Sequence, residues 1–426
     1  WVKPELVCEI KFSEWTKNGM ARHPIFMGLR TDKKPTEVKL KKSETIASAL
    51  EKTVNAKTGA MKVAEKKATV KKTADKKSAA KKSSKPAPAK PELLAAGSKK
   101  GTGKAMHHPI AVSGIELDLK ISDHQEIILQ GHELKLTNLN KLYWKKEKFS
   151  KGNMINYYLE MAPYMLPYLL DRPLSLNRHP NGIDAANFYQ KDTKGKVPEW
   201  IQQHVDFSES TNKEVSYMVC SGEASLIYMA NLGCIEMNPW HSRSASWKNP
   251  DWCLIDLDPD KGNSFEQVIA TALVVKDLLD AGGAESCVKT SGSTGIHIYI
   301  PLGGKYSYDQ SRQLAELLVN VVHTQLPDTT SVVRNPAKRK GLIYLDFLQN
   351  REIQTAAAPY CLRPKPGVPV STPLHWSEVK KGLTQTTYNA HNIFERLKSE
   401  GDLFAPVLGK GIDLEKIVKN LASYLE

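Results

Sequence analysis

From Trp252 to Asp260 the chain reads Trp-Cys-Leu-Ile-Asp-Leu-Asp-Pro-Asp, and no other stretch constrains the fold as tightly. Pro250 and Pro259 bound an apolar run with β-branched Ile255, which predicts a short buried strand. Side chains alternate across a strand, so Asp256 and Asp258 share one face, about 7 Å apart at roughly 3.3 Å per residue. Two carboxylates side by side on a core strand repel unless a cation lies between them. Paired oxygen donors suit Mg²⁺ or Mn²⁺, metals that usually complete their shells with substrate phosphates. The plainer reading is a strand ending in an acidic turn, for which Asp-Pro-Asp is well suited.

A chain of 426 residues has room for two or more domains. No run of 18 apolar residues occurs, so no membrane span is expected. The chain opens on Trp1 rather than Met, which reads as a fragment lacking its upstream portion. Six scattered cysteines without a CxxC pair argue against a zinc knuckle or a disulfide framework and fit a reducing cytoplasm. The net charge of +14 has one source. Between Lys39 and Lys104 stand 19 lysines, no arginine and 5 acids, so the rest of the chain is neutral overall. Any nucleic-acid site on the folded parts must therefore be a local patch.

Residues 1–38 hold strand-like patches, Leu6–Phe12 and His23–Leu29, but are too few to bury a core alone. Trp1-Val-Lys-Pro, Glu14-Trp-Thr16, Arg22-His-Pro24, Gly28-Leu-Arg30 and Asp32-Lys33 resemble the C-terminal motif of ATP-dependent DNA ligases, at the end of their OB-fold domain. That resemblance implies phosphate-orienting roles for Arg22, Arg30 and Lys33. The KxDG motif that carries the adenylated lysine of such ligases is absent, so ligation by this chain alone is not expected. Residues 39–108 are a Lys/Ala/Pro-rich stretch with Lys-Lys doublets at 66, 71, 76 and 81. Such composition cannot offset the entropy of folding and predicts a cationic linker. It could hold DNA phosphates non-specifically, or simply space two domains.

Regular patterning resumes at Ile110 and covers 109–426. A hairpin is predicted around Gly131, and helical spacing runs from Asn153 to Leu170, divided by Pro163 and Pro167. Leu174–Arg178, Asn187–Lys191 and Cys234–Met237 read as strands, and Ser225–Asn231, Phe265–Leu279 and Ser311–Val322 as helices. Without a regular βαβ repeat the fold class is α+β, with mixed or antiparallel sheets flanked by helices.

Two further stretches join the paired aspartates. Ser291-Gly-Ser-Thr-Gly295 is rich in hydroxyls and backbone N–H groups, with His297 just beyond it, and can wrap phosphate oxygens. Asp346 interrupts an apolar strand, where an isolated carboxylate is costly unless paired or metal-bound; Arg339 or Lys340 would serve as the plain partner. Three acids and such a loop are coherent as a two-metal nucleotidyl-transfer site.

In order, Leu136-Thr, Lys141, Lys151, Asp171-Arg-Pro173, Phe188-Tyr-Gln-Lys191, Asn238-Pro-Trp-His-Ser-Arg243, Asp256-Leu-Asp258, Ser291-Gly-x-x-Gly-x-His297 and Asp346-Phe-x-Gln-Asn350 resemble the polymerase domain of bacterial DNA ligase D, of the archaeo-eukaryotic primase superfamily. The resemblance implies Asp256, Asp258 and Asp346 as catalytic ligands of two Mn²⁺ or Mg²⁺ ions. It implies nucleotide contacts by Ser291, Gly292, Ser293, Thr294, His297, Arg339, Gln349 and Asn238. Phe188 or Tyr189 would stack on a base or sugar. Lys141 and Lys151 would bind a DNA 5′-phosphate; the bland alternative for both is surface solvation. Trp240, His241 and Arg243 would shape the nucleotide pocket or else belong to the core. Relatives often carry lysine where this chain has Thr294, a charge that Lys289 could replace, and histidine where it has Asn238.

The implied function is template-directed addition of NTPs or dNTPs to 3′ ends at gaps and double-strand breaks in non-homologous end joining. DNA and a bacterial Ku-like protein would be the partners, in a cytoplasmic, nucleoid-associated setting. Two rivals share the residues: a de novo primase, and a DNA-end tethering module with an inactive polymerase site. The missing cysteine cluster and the ligase motif weigh against the first, and three intact acids against the second.

Overall fold

The computed structural model describes residues 110–424 except 121, 194, 209–211 and 340, and ahead of them only four short strands. These pair antiparallel as two ribbons, Cys8–Lys11 with Ile25–Leu29 and Glu14–Trp15 with Ala21–Arg22. Arg22 lies on the second ribbon, whereas Arg30, Lys33 and the lysine-rich stretch fall outside the described residues. The chain divides into two compact units, residues 1–94 and 95–426.

The larger unit has two apolar cores. The first forms around helix α1, Lys151–Leu169, capped by Ser150 and Asn153 in a reciprocal box. The prolines expected to divide this segment sit inside one continuous helix. Pro167 lacks the N–H that would bond the Pro163 carbonyl. The backbone N–H of Ile110 takes that carbonyl instead, at 3.3 Å, and burial of both flanks holds the helix together. The predicted hairpin, Gln125–Leu129 with His132–Leu136, packs on this core. So do strand β1 (Leu174–Arg178), along which the largely exposed edge strand β2 (Phe188–Gln190) pairs, helix α2 (Glu223–Asn231) and strand β3 (Cys234–Pro239). The strands form an antiparallel sheet in the order β2-β1-β3.

The second core lies between a six-stranded sheet and two helices. In chain order these elements are β4 (Trp252–Asp258), α3 (Phe265–Gly282), β5 (Cys287–Thr290), β6 (Ile296–Pro301), α4 (Tyr308–Gln325), β7 (Thr330–Ser331), β8 (Ile343–Asp346) and β9 (Pro373–Leu374). The sheet order is β7-β8-β4-β6-β5-β9, antiparallel except for β7 beside β8. Ser264 with Gln267 caps α3, and Ser307 with Gln310 caps α4, so α4 starts three residues before the apolar spacing suggested.

Strand β4 serves both cores. Cys253, Ile255 and Leu257 face the helices, while Trp252 and Leu254 belong to the first core. Asp256 and Asp258 continue that second face beyond the end of the apolar packing. Where β8 stops pairing with β4, the Asn350 side chain replaces a strand: its Oδ1 accepts from Leu254 N (2.8 Å) and its Nδ2 donates to Leu254 O (2.6 Å). The α+β class and the antiparallel sheets are as expected. No helix among the described residues is long and apolar enough to cross a membrane.

Candidate active site

Register assembles the site. In β4, Asp256 stands opposite His297 of β6 on one side and opposite Asp346 of β8 on the other. His297 in turn stands opposite Lys289 of β5. Residues directly opposite share a face of the sheet. Asp256, Asp346, His297 and Lys289 therefore form one row across four strands, with Asp258 two residues along.

The row is strained electrostatically. Burial, then the Asp346 and Asp258 charges, push the Asp256 carboxyl up to about 8, against the pull of Lys289 and Arg363. Burial also raises Asp346, which accepts a hydrogen bond from Leu348 N at 2.9 Å. His297 is held well below the usual imidazole range, first by burial and then by Lys289 and Arg363. Its 3.4 Å contact from Nε2 to Asp256 Oδ1 is thus made by a neutral ring rather than an imidazolium. Lys289 is fully buried, its amine lowered to about 7 by burial and the Arg363 charge. Asp258 is half exposed and meets the Arg339 guanidinium at 3.4 Å; Arg339 also lies 3.7 Å over the Tyr344 ring. Arg339 thus partners Asp258, not Asp346 as the plain reading of that strand had it.

Asp256 and His297 of the row open on a cleft of about 600 Å³, whereas Asp346, Gly292 and Arg339 are not among its lining residues. Asp256, Asp258, Asn238, Ser291, Ser293, Thr294, His297 and Gln349 line it, so most of the expected residues come together. The Ser291–Gly295 loop is tighter than its composition suggested. Ser291 Oγ accepts from Ser293 N (3.1 Å) and Gly295 N (3.0 Å), so two of the expected phosphate donors are already engaged. A Cβ on Gly295 would lie 2.0 Å from the Leu257 carbonyl oxygen, and Gly292 has φ +67° with its Cβ position against Val370. Glycine is required at both.

A model of the "LigD, primase-polymerase domain" family matches residues 150–404, well over half of the chain. The chain belongs to the LigD primase-polymerase family. A model of the ATP-dependent DNA ligase C-terminal region matches residues 1–33. The Bacillus subtilis "Bifunctional non-homologous end joining protein LigD" is 30% identical over 271 residues, 63% of this chain and 43% of that protein. The Pseudomonas aeruginosa "Multifunctional non-homologous end joining protein LigD" is 26% identical over 401 residues, 93% of this chain and 39% of that protein. The chain thus spans about two-fifths of the length of these curated relatives. The solved polymerase domain of Mycobacterium tuberculosis ligase D, in complex with DNA, superposes with a TM-score of 0.60 at 25% identity, over 66% of this chain and 99% of that one.

The cleft of this LigD primase-polymerase family member also has lining residues that the sequence reading did not single out. Arg363 lines the cleft, donating from Nε to Glu236 Oε2 (2.9 Å) and from a terminal nitrogen to the Ser291 carbonyl. Glu236 is buried within the apolar strand β3. A carboxylate breaking an apolar run drew attention to Asp346, and the same signal stood unused at Glu236. Nothing in its local pattern singles out Arg363.

Other expected residues stand apart from the cleft. Of the aromatic pair, Tyr189 lines the cleft while Phe188 is exposed beside it, under the Arg178 guanidinium at 5.2 Å. Trp240 and His241 are buried, and Arg243 binds Asp251 at 3.1 Å, so this stretch belongs to the core and only Asn238 of its motif reaches the cleft. Lys289 does not line the cleft, so it does not replace the missing loop lysine by direct contact. Lys141 and Lys151 lie at the N-terminal end of α1. Lys151 is buried and donates to Thr137 O (2.7 Å) and Asn231 Oδ1 (2.8 Å), and burial with the neighbouring Lys141 charge lowers it to about 8. Lys141 is exposed and donates to Asn181 Oδ1 at 2.5 Å.

Proposed function

We propose that this chain is a template-directed nucleotidyltransferase that extends 3′ ends at gaps and double-strand breaks with NTPs or dNTPs. The observation that carries the reading is the row of Asp256, Asp346 and His297, with Asp258 beside it, of which Asp256, Asp258 and His297 line a cleft walled by the Ser291–Gly295 loop. Relatives named as non-homologous end joining proteins, and a solved relative in complex with DNA, support it.

Three carboxylates on one face, two of them pushed toward protonation, fit a divalent cation such as Mn²⁺ or Mg²⁺ by donor chemistry. Among the described residues no three donor side chains already converge on a shared ligand point. Metal binding would compete with Arg339 for Asp258. When bound, the metals would supply activation of the primer 3′-oxygen and neutralise charge on the departing pyrophosphate.

The chain's own residues do the rest. His297 presents Nε2 to the cleft and Arg363 a guanidinium, both suited to phosphate oxygens. Ser293 and Thr294 line the cleft where the triphosphate would lie, on a loop that Gly292 turns; Gln349 and Asn238 offer amides, and Tyr189 in the cleft, with exposed Phe188 next to it, a stacking platform. Lys141 and Lys151 stand at the positive end of a 19-residue helix. That excess of positive charge favours an anion such as a DNA 5′-phosphate. A Ku-like end-binding protein is the partner this reading suggests, with Arg22, Arg30 and Lys33 serving the ligase part of a longer protein.

Primer extension on a gapped duplex bearing a 5′-phosphate tests the reading, with NTPs and dNTPs in Mn²⁺ and in Mg²⁺. Templated addition that disappears in Asp256→Ala and weakens without the 5′-phosphate supports it. DNA binding with no addition under either metal would leave end tethering as the function, and products on primer-free template would point to priming.

A further inference from the structure

Lys289 has no place in the nucleotide contacts above, yet it is the least expected side chain in the sheet. Its amine has no solvent exposure, and its hydrogen bonds among the described residues go to no carboxylate. What it does touch is specific. Nζ lies 2.9 Å from His297 Nδ1 and 2.5 Å from Ser371 Oγ, with the Tyr299 ring 5.7 Å away. Ser371 Oγ donates to the Thr290 carbonyl at 3.1 Å, so it accepts from Lys289. An ammonium has donors and no acceptor, so His297 Nδ1 must accept as well. The imidazole proton then sits on Nε2, the nitrogen facing Asp256 Oδ1 at 3.4 Å and the cleft. A neutral amine keeps two N–H bonds, enough for both contacts, but its lone pair can also accept from an Nδ1–H, so it is the ammonium form of Lys289 that dictates the tautomer.

We propose that Lys289 is a positioning residue that fixes His297 as the Nε2–H tautomer, aiming a donor rather than a lone pair at the anionic oxygens of a bound nucleotide. Strand register holds the pair together, because Lys289 and His297 are direct cross-strand partners on one face. A single buried contact thus decides whether the cleft offers His297 as a donor or an acceptor. The residue acts through His297, without reaching the triphosphate itself.

The inference rests on the nucleotide reading of the cleft, and its test separates the two. In the full chain, ¹⁵N-histidine NMR without nucleotide reads the His297 tautomer, with His297→Gln identifying the signal. Wild type should show the proton on Nε2; Lys289→Met should shift His297 toward Nδ1–H, and Ser371→Ala should do so to a smaller degree. In primer extension with ATP, Lys289→Met should raise KM about tenfold with a smaller change in kcat, as for loss of one charge-directed hydrogen bond. The double variant Lys289→Met/His297→Gln should be no worse than His297→Gln alone, since both remove the same donor. An unchanged tautomer in Lys289→Met, or losses that multiply in the double variant, would overturn the proposal. Failure of wild type to use ATP would overturn the nucleotide reading and leave the tautomer result standing.

Discussion

Asp256 and Asp346 are direct partners across neighbouring antiparallel strands, so their carboxylates leave the same face of the sheet side by side. Nothing but register brings together two acids 90 residues apart in the chain, and burial then makes their proximity costly.

That cost has a pH signature. Asp256 holds its proton up to about 8 in the folded chain but releases it near its ordinary value of 3.8 when unfolded. The folded state therefore binds the proton more tightly, and stability contributed by this group falls as pH rises from about 4 to about 8. Asp256→Asn, a permanently neutral stand-in, should gain in melting temperature over wild type in EDTA, with the gain growing across that window and levelling above it. Mn²⁺ should erase or reverse the gain. A pH-independent difference would mean the carboxylate is not under strain.

Gly295 tolerates no side chain, because its Cβ position lies against the Leu257 carbonyl beside Asp258. Gly295→Ala should cost about 1–3 kcal/mol of stability through backbone displacement. Nucleotide KM should rise at the same time, as the loop moves away from β4. Unfolding curves and extension kinetics on one sample check both.

Arg363 and Glu236 form an ion pair that is almost fully enclosed. Arg363→Met should destabilise the chain by about 3–5 kcal/mol, since it leaves a buried carboxylate unpaired. Adding Glu236→Gln should recover much of the stability and none of the activity, if the guanidinium also serves the cleft. Recovery of both would reduce Arg363 to a structural partner.

Lys141 and Lys151 should separate in a paired experiment. Lys141→Ala should leave the melting temperature unchanged and lower the salt slope of binding to 5′-phosphorylated DNA by about 1. Lys151→Met strips partners from Thr137 O and Asn231 Oδ1, so it should lower the melting temperature as well. Equal thermal effects would contradict the buried placement of Lys151.

Much of this was legible because strands and helices announce themselves by period. The apolar run around Ile255 fixed β4 and apolar spacing marked α3 and α4, while the Ser307 cap that starts α4 three residues earlier went unread. Asp346 stood out as a polar residue where the pattern demands an apolar one, Asp256 and Asp258 as a pair on one strand face, and the loop, with His297 just beyond it, by its glycines and hydroxyls. What stayed hidden depends on long-range pairing. The Pro163 carbonyl that Pro167 leaves without its helical donor is taken by Ile110, more than fifty residues upstream. Arg363 joins the cleft through a partner 127 positions away, and the burial of Lys289 follows from a sheet order that no local window contains.

Strand β4 alternates between two environments, with Ile255 and Leu257 in one core and the two acids on the opposite face. A slip of one residue would exchange them, driving both carboxylates into the space between sheet and helices and turning the aliphatic groups to the cleft. The strand therefore checks its own alignment: a molecule that has folded has already placed its acids. Variants that are stable but inactive should come from the acids and the loop, while changes to the aliphatic positions should remove activity only together with the fold.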